Sequence, residues 1–226
     1  MAARVIVITG AFGVLGSAVA KAAAAQGAEL ALIDYAPARP GVDAGLVLGG
    51  VDLADQVKAS AAMAAVGERY GRIDALLNIA GGFTWEKIEG QDPATWANMY
   101  RLNVVTAVNA SRAAIPHLRA SGSGRIVNVG SAAALKAGAG MGAYAAAKAG
   151  VHALTQALAE ELKGDGITVN AVLPSIIDTP TNRADMPDAD FDAWVAPADL
   201  AAVMLFLASE DARAVTGTLA PVTGRV

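Results

Sequence analysis

Along the whole chain, short runs rich in Val, Ile and Leu alternate with Ala-rich stretches of helical character. This alternation constrains the fold more than any other feature. Strands are predicted at Arg4–Thr9, Glu29–Asp34, Gly45–Val51, Ile73–Ile79, Arg125–Gly130, Gly166–Val172 and Thr218–Pro221. Helices are predicted at Val14–Gln26, Asp55–Tyr70, Pro93–Ser121, Gly142–Lys163 and Pro197–Ser209. Runs such as Val5-Ile6-Val7-Ile8 and Ile126-Val127-Asn128-Val129 are apolar on both faces or nearly so. A strand of that kind needs cover on both sides, which is the condition of a parallel sheet between two helical layers. Repeated strand–helix units therefore predict an α/β, doubly wound parallel sheet of seven strands with helices on both faces.

Composition narrows the function classes. Hydrophobic residues make up 54% of the chain and charged residues 17%, enough apolar surface to build a core and too little charge for a disordered chain. The absence of Cys excludes a disulfide scaffold, thiol catalysis and a Cys-based zinc site. Two His leave no basis for a multi-His metal centre. The net charge of −4 comes with no basic stripe, so no nucleic-acid partner is expected. The uncharged run Val5–Ala20 is broken by three Gly and falls short of the roughly 20 apolar residues of a membrane helix. Its Gly cluster also lies where a secretory signal needs an apolar core. The expectation is a cytoplasmic chain without a membrane anchor, forming a single domain over residues 1–226. Two irregular stretches interrupt the pattern, Ala36–Gly45 and Pro174–Pro197. Long loops inside a compact domain usually serve function; the second is the candidate substrate loop, at about residues 174–197.

Three motifs carry chemistry. Thr9-Gly10-Ala11-Phe12-Gly13-Val14-Leu15-Gly16 follows the first strand and opens a helix. A dinucleotide pyrophosphate needs such a tight turn, with close backbone approach and free N–H groups at a helix N-terminus. The second strand ends in Ile33-Asp34, about 20 residues further on, where a carboxylate accepts hydrogen bonds from ribose hydroxyls and repels a 2′-phosphate. NAD(H) is therefore favoured over NADP(H), with nearby Arg39 as the residue that would meet a 2′-phosphate. Tyr144 and Lys148 stand at i and i+4 on a helix, sharing a face. A cation there favours the phenolate and lowers the Tyr pKa.

Each motif alone also occurs in ordinary turns and helices. Their joint order, with Asn78-Ile79-Ala80-Gly81, Asn103 and Ser131 between them, resembles the short-chain dehydrogenase/reductase family over nearly the whole chain. The resemblance implies a Rossmann-type fold with Gly10, Phe12, Gly13, Val14, Leu15 and Gly16 around the pyrophosphate and Asp34 on the adenosine ribose. Asp52-Leu53 would cradle the adenine. Asn78, Ala80 and Gly81 match the family's Asn-Asn-Ala-Gly stretch. Ser131 would bind the substrate oxygen, and Tyr144 would be the general acid or base. Lys148 would lower the Tyr pKa and hold the nicotinamide ribose. Asn103 would anchor a water leading to Lys148. Pro174, Ile177 and Thr179 belong to the segment expected at the nicotinamide carboxamide.

This chain departs from the family pattern at three places. Val14 stands where the middle glycine of the cofactor turn is usual, with Gly13 one place earlier. Ile79 replaces the second Asn of Asn-Asn-Ala-Gly. Ser175 replaces the Gly after Pro174, which predicts a less permissive start to the loop. The implied activity is interconversion of a small or aromatic ketone and its secondary alcohol. Reduction of a 3-oxoacyl thioester or a pteridine and non-catalytic dinucleotide sensing are the alternatives. Phe83, Trp85, Met141, Met186, Phe191 and Trp194 are candidates for the pocket wall or for packing, with Met141 and Trp194 leaning to the pocket. His117 is expected at the surface or an interface, and His152, two turns beyond Tyr144 on the same helix face, in core or interface packing, with an approach to the site as the alternative. The Ala-rich faces of Pro93–Ser121 and Gly142–Lys163 predict a homodimer or homotetramer.

Overall fold

In the computed structural model, which describes residues 3–38 and 45–226, the strands are β1 (Val5–Thr9), β2 (Glu29–Ile33), β3 (Leu46–Leu48), β4 (Ala75–Asn78), β5 (Arg125–Val129), β6 (Thr168–Pro174) and β7 (Leu219–Val222). They form one parallel sheet in the order β3-β2-β1-β4-β5-β6-β7. The helices are α1 (Val14–Ala25), α2 (Gln56–Tyr70), α3 (Ala94–Tyr100), α4 (Thr106–Ser121), α5 (Gly142–Leu162), α6 (Pro180–Asp185) and α7 (Pro197–Leu207). The predicted seven-stranded, doubly wound architecture is what the chain adopts.

Side-chain alternation builds two apolar layers. Val5, Val7, Ala31, Ile33 and Leu76 point to one face, where α2, α4 and α5 bring Met63, Val66, Ala114, Leu118 and Leu158. Ile6, Ile8, Leu30, Leu32 and Leu77 point to the other, against Val19 and Ala23 of α1 and Leu200 and Met204 of α7. Small Ala side chains let these helices lie close to the sheet. The strand β3 is shorter than predicted because it is an edge strand: only β2 fixes its ladder, and Gly50 turns away at φ +74°. Residues 39–44 lie outside the described residues, and with them Arg39.

Two predicted segments take a different form. The helix expected over Pro93–Ser121 contains a π-helical turn, Arg101–Val105, between α3 and α4. There the Asn103 amide donates to Met99 O at 3.0 Å and the Thr106 hydroxyl to Leu102 O at 2.8 Å. Such side-chain bonds to the preceding turn compete with the helix's own ladder and widen it locally. The stretch read as irregular, Pro174–Pro197, contains α6 and a 3-10 turn at Phe191–Ala193. Its two ends are zipped by Asp178 N–H to Val195 O and Val195 N–H to Ile176 O, each 2.9 Å. Ser175 imposes no strain, since among the described residues only glycines have positive φ. Its hydroxyl instead donates to Thr223 O at 2.8 Å, tying the loop to the end of β7.

The sheet order reverses beside β1, whose neighbours β2 and β4 lead away in opposite directions. A crevice opens there at the carboxyl ends of the strands. Thr9 stitches its floor: its hydroxyl accepts the N–H groups of Ile79 and Ala80, each at 3.1 Å. The turn above is close-packed. Gly10 has φ +63°, and a Cβ there would lie 2.8 Å from Ala80 N. A Cβ on Gly16 would overlap the Gly10 carbonyl oxygen. Gly16→Ala is therefore expected to destabilise the protein by about 3 kcal/mol, the upper range for overpacking a rigid site, read as a lower midpoint in urea.

Candidate active site

A cavity of about 800 Å³ occupies the crevice. Gly10, Phe12, Gly13, Val14, Leu15, Asp34, Asp52, Leu53, Ala80, Gly81 and Thr179 all line it, so the turn, both acidic positions and the end of the fourth strand meet as the sequence predicts. Gly13 is the N-cap of α1, and no side chain among the described residues caps that helix. The first N–H groups of a helix lack intrahelical partners, so this rim presents uncapped donors to the cavity. Val14, at the place of the usual glycine, is 45% exposed and needs no space from its neighbours.

Asp34 has two jobs. One carboxylate oxygen accepts the Phe12 N–H at 2.8 Å and the other the Ala36 N–H at 2.8 Å. Each oxygen retains a further acceptor site. The carboxylate thus holds the glycine turn in place as well as facing the cavity. Asp52 accepts the Ala54 N–H at 3.0 Å and pairs with Arg101 at 2.5 Å. Arg101, on the π-helical turn, also lines the cavity. This pair joins segments 49 residues apart, and no spacing in the sequence signals it.

Asn78 behaves differently from its neighbours. Its side chain is buried, with the amide donating to the Ser111 hydroxyl at 3.0 Å and to Asn128 at 2.9 Å. It joins β4 to β5 and α4 inside the core, and its side chain does not line the cavity. Pro174 closes β6, and Ile177 pairs with Val195; neither lines the cavity. Thr179 does, and its hydroxyl also accepts the Asn182 N–H at 3.1 Å to cap α6.

The other four predicted residues gather at one end. Gly81 is the junction: a Cβ there would lie 2.6 Å from Asn103 Oδ1 and 3.6 Å from Lys148 Nζ. Asn103 brackets the next residue, donating to Gly82 O at 3.0 Å and accepting its N–H at 3.3 Å. On α5, Lys148 is buried and donates to Val129 O at 2.8 Å. Its ammonium lies 5.8 Å from the centre of the Tyr144 ring. Ser131 is buried, accepts the Ala133 N–H at 3.1 Å and stands near the Tyr144 phenol.

The expected pKa of Tyr144 is corrected in sign. Burial pushes the phenol above its ordinary value of 10.0, and the nearby Ser131 hydroxyl recovers only part of the shift. Lys148 does not reverse this, because burial acts on it too and lowers it to about 8. Removing either group from water penalises its charged form.

The flanking loops are aromatic. Phe83 meets Tyr144 edge-on, with ring centres 4.9 Å apart, and is 52% exposed. Trp85, 56% exposed, packs over Gly140, and Glu86 N–H donates to Gly140 O at 2.8 Å. Trp194 is buried at 7% exposure and stacks at a tilt on Phe191, so it belongs to the core and not to an open pocket wall. His117 is half-buried against Gly67 of α2. His152, expected to be packing, instead accepts the Ser131 N–H. The visible signal for it was its place two turns beyond Tyr144 on one helix face. Among the described residues no group of three His, Asp or Glu can hold a metal ion, and no helix is long and apolar enough to cross a membrane.

Known proteins are similar to this chain in sequence and fold. The family model for short chain dehydrogenase matches residues 4–190. A meso-2,3-butanediol dehydrogenase of Serratia marcescens is 37% identical over 235 residues, covering 98% of this chain and 93% of that protein. The ligand-free aldohexose dehydrogenase of Thermoplasma acidophilum superposes with a TM-score of 0.89 at 26% identity, covering 98% of this chain and 93% of the other. Carveol dehydrogenase from Mycobacterium avium, in complex with NAD, superposes with a TM-score of 0.86 at 28% identity, covering 99% of this chain and 97% of the other. The family match over residues 4–190, together with relatives that are similar over nearly the whole chain, makes this chain a member of the short-chain dehydrogenase/reductase family of oxidoreductases.

Proposed function

We propose that the protein interconverts a small or aromatic ketone and its secondary alcohol, with NAD(H) preferred over NADP(H). One observation carries the reading: the Lys148 ammonium lies beside Gly81 of the cavity wall, with the Tyr144 phenol next to the ammonium and the Ser131 hydroxyl next to the phenol. The residues suit that group. The uncapped N–H groups of α1 favour a pyrophosphate, and Asp34 keeps acceptor capacity for ribose hydroxyls. When bound, the nicotinamide supplies hydride exchange at the carbonyl carbon.

The chain supplies the rest. Tyr144, a phenol protonated at neutral pH and held further in that form by burial, donates its proton to the carbonyl oxygen in reduction. In oxidation the phenolate takes the alcohol proton. The Ser131 oxygen already accepts the Ala133 N–H, so its own hydrogen is available to the substrate oxygen. Lys148, fixed by Val129 O, stands over Gly81, where it can hold the nicotinamide ribose. Asn103 keeps the Gly81–Gly82 backbone in place and, in this reading, anchors a water on the path to Lys148.

Substrate size and cofactor choice rest on local chemistry. Phe83 and Trp85 offer an exposed apolar wall beside Tyr144, suited to an alkyl or aryl substituent. The relative named for 2,3-butanediol supports a small secondary alcohol. Among the described residues the only cation lining the cavity is Arg101, which is paired with Asp52, and the Asp34 carboxylate would repel a 2′-phosphate. The neighbour in complex with NAD supports the same choice. The same reading treats residues 1–226 as one domain with 174–197 as its substrate loop. It also includes a homodimer or homotetramer built through α4 and α5, with Tyr100, Leu102 and Val108 exposed along the α3–α4 path.

Titrating NADH and NADPH side by side tests the cofactor reading. NADH is expected to bind at least tenfold more tightly, about 1.4 kcal/mol. Asp34→Ala should narrow that gap and weaken both cofactors, because it also releases the Phe12 and Ala36 N–H groups. A panel of alkyl and aryl ketones and alcohols, followed by nicotinamide absorbance, tests the reaction; no turnover on any of them would overturn it.

A further inference from the structure

Three side chains on successive turns of α5 bond to the end of β5. Lys148 donates to Val129 O at 2.8 Å, His152 Nε2 accepts the Ser131 N–H at 3.3 Å, and Thr155 Oγ1 accepts from Asn128 Nδ2 at 2.9 Å. The outer two fix the strand. The middle one acts beyond it, on the residue that presents its hydroxyl to the site.

We propose that His152 is a positioning residue: its imidazole holds the backbone of Ser131 and so fixes the hydroxyl that faces the Tyr144 phenol. This rests on the function proposed above. Ser131 lies past the last residue of β5, where the sheet ladder has ended. Gly130 N–H still donates to Val172 O at 2.9 Å, but the Ser131 N–H is buried and bonds to the imidazole. Buried N–H groups are rarely left without an acceptor, and the imidazole supplies one. As an acceptor Nε2 carries no proton, which assigns the hydrogen to Nδ1. Burial and the nearby Lys148 ammonium both lower the His152 pKa, which keeps the ring neutral and able to accept.

The fit is reciprocal. A Cβ on Gly130 would lie 2.5 Å from His152 Nε2 and 2.7 Å from Cδ2. The glycine thus leaves the space that the ring fills. Ser131 itself is extended, at φ −163° and ψ 144°, with its oxygen accepting the Ala133 N–H. One side of the residue is held by the imidazole and the other by the turn that follows, which leaves the hydroxyl little freedom of direction.

The test compares His152→Leu, which keeps bulk but not the acceptor, with His152→Gln, whose amide oxygen can reach the same N–H. The leucine variant is expected to lose about 10- to 100-fold in kcat, the scale on which a misplaced group costs rate, with NADH affinity unchanged. The glutamine variant is expected to recover most of that loss. Hydrogen exchange at the Ser131 amide should accelerate in the leucine variant and not in the glutamine variant. Wild-type kcat in His152→Leu, equal loss in both variants, or unchanged Ser131 exchange in His152→Leu would overturn the proposal. Should the leucine variant not fold, Gly130→Ala is read in the same way, since its methyl group displaces the ring without removing it. Failure of the wild type to turn over any ketone or alcohol would count against the proposed function instead, and the exchange measurement would still decide the role of His152.

Discussion

Tyr144→Phe is expected to lower kcat by about 10²- to 10⁴-fold while leaving NADH affinity unchanged, the range for removing a general acid–base group. The substitution removes one oxygen and keeps the ring that packs edge-on against Phe83. The variant should therefore fold, losing at most about 1 kcal/mol for any polar partner of the phenol. Steady-state rates and a NADH titration on the same preparation check both halves. The direction of the phenol's pKa adds a pH signature. Because burial keeps the proton on Tyr144, reduction should stay level through neutrality, whereas oxidation, which needs the phenolate, should rise with pH. Full activity in the phenylalanine variant would remove Tyr144 from the chemistry.

Lys148→Met should have two effects of opposite kind: loss of turnover and a gain in stability at neutral pH. The ammonium is buried beside Val129 O, and burial lowers its pKa from 10.5 to about 8. Between those values the unfolded chain holds the proton and the folded protein has released it. The unfolded state binds more protons there, so wild-type stability rises with pH across that window. Below pH 8 both states are protonated, and the folded protein carries the full cost of a buried charge, on the order of 3 kcal/mol. A methionine avoids that cost. It leaves the Val129 carbonyl without its donor, a loss of about 1–3 kcal/mol, so the net gain at pH 7 is about 1 kcal/mol. Urea denaturation from pH 7 to 10.5 checks this. The wild-type curve should climb and the variant curve should stay flatter, so the variant's advantage at pH 7 should vanish and then reverse as pH rises towards 10.5. A wild-type stability that falls across that window would contradict the buried-ammonium account. The residue would then be an instance of stability given up for a working site.

Much of the cofactor site was legible because its signals are local. The glycine turn, the carboxylate at the end of β2 and the Tyr144–Lys148 spacing each lie within one turn, strand end or helix face, where backbone geometry converts spacing into direction. The same local logic does not show what holds Asn78. Its motif position suggests the cofactor, but its amide lies between Ser111 and Asn128, and only the stacking of β4 on β5 brings those groups together. It also read Pro93–Ser121 as one helix, because the periodicity does not register a carbonyl captured by Asn103.

Periodicity and motif spacing determined the seven parallel strands, the two apolar layers, the opening turn and the helix that carries Tyr144 and Lys148, since each depends on residues a few positions apart. Only the tertiary structure decided the Arg101–Asp52 pair, the second role of Asp34, the grip of His152 on Ser131 and the upward shift of the Tyr144 pKa. Those depend on which distant segments meet and how much water they exclude. Hydrogen bonds across tens of residues and the cost of burying charge are properties of packing, which linear spacing does not encode.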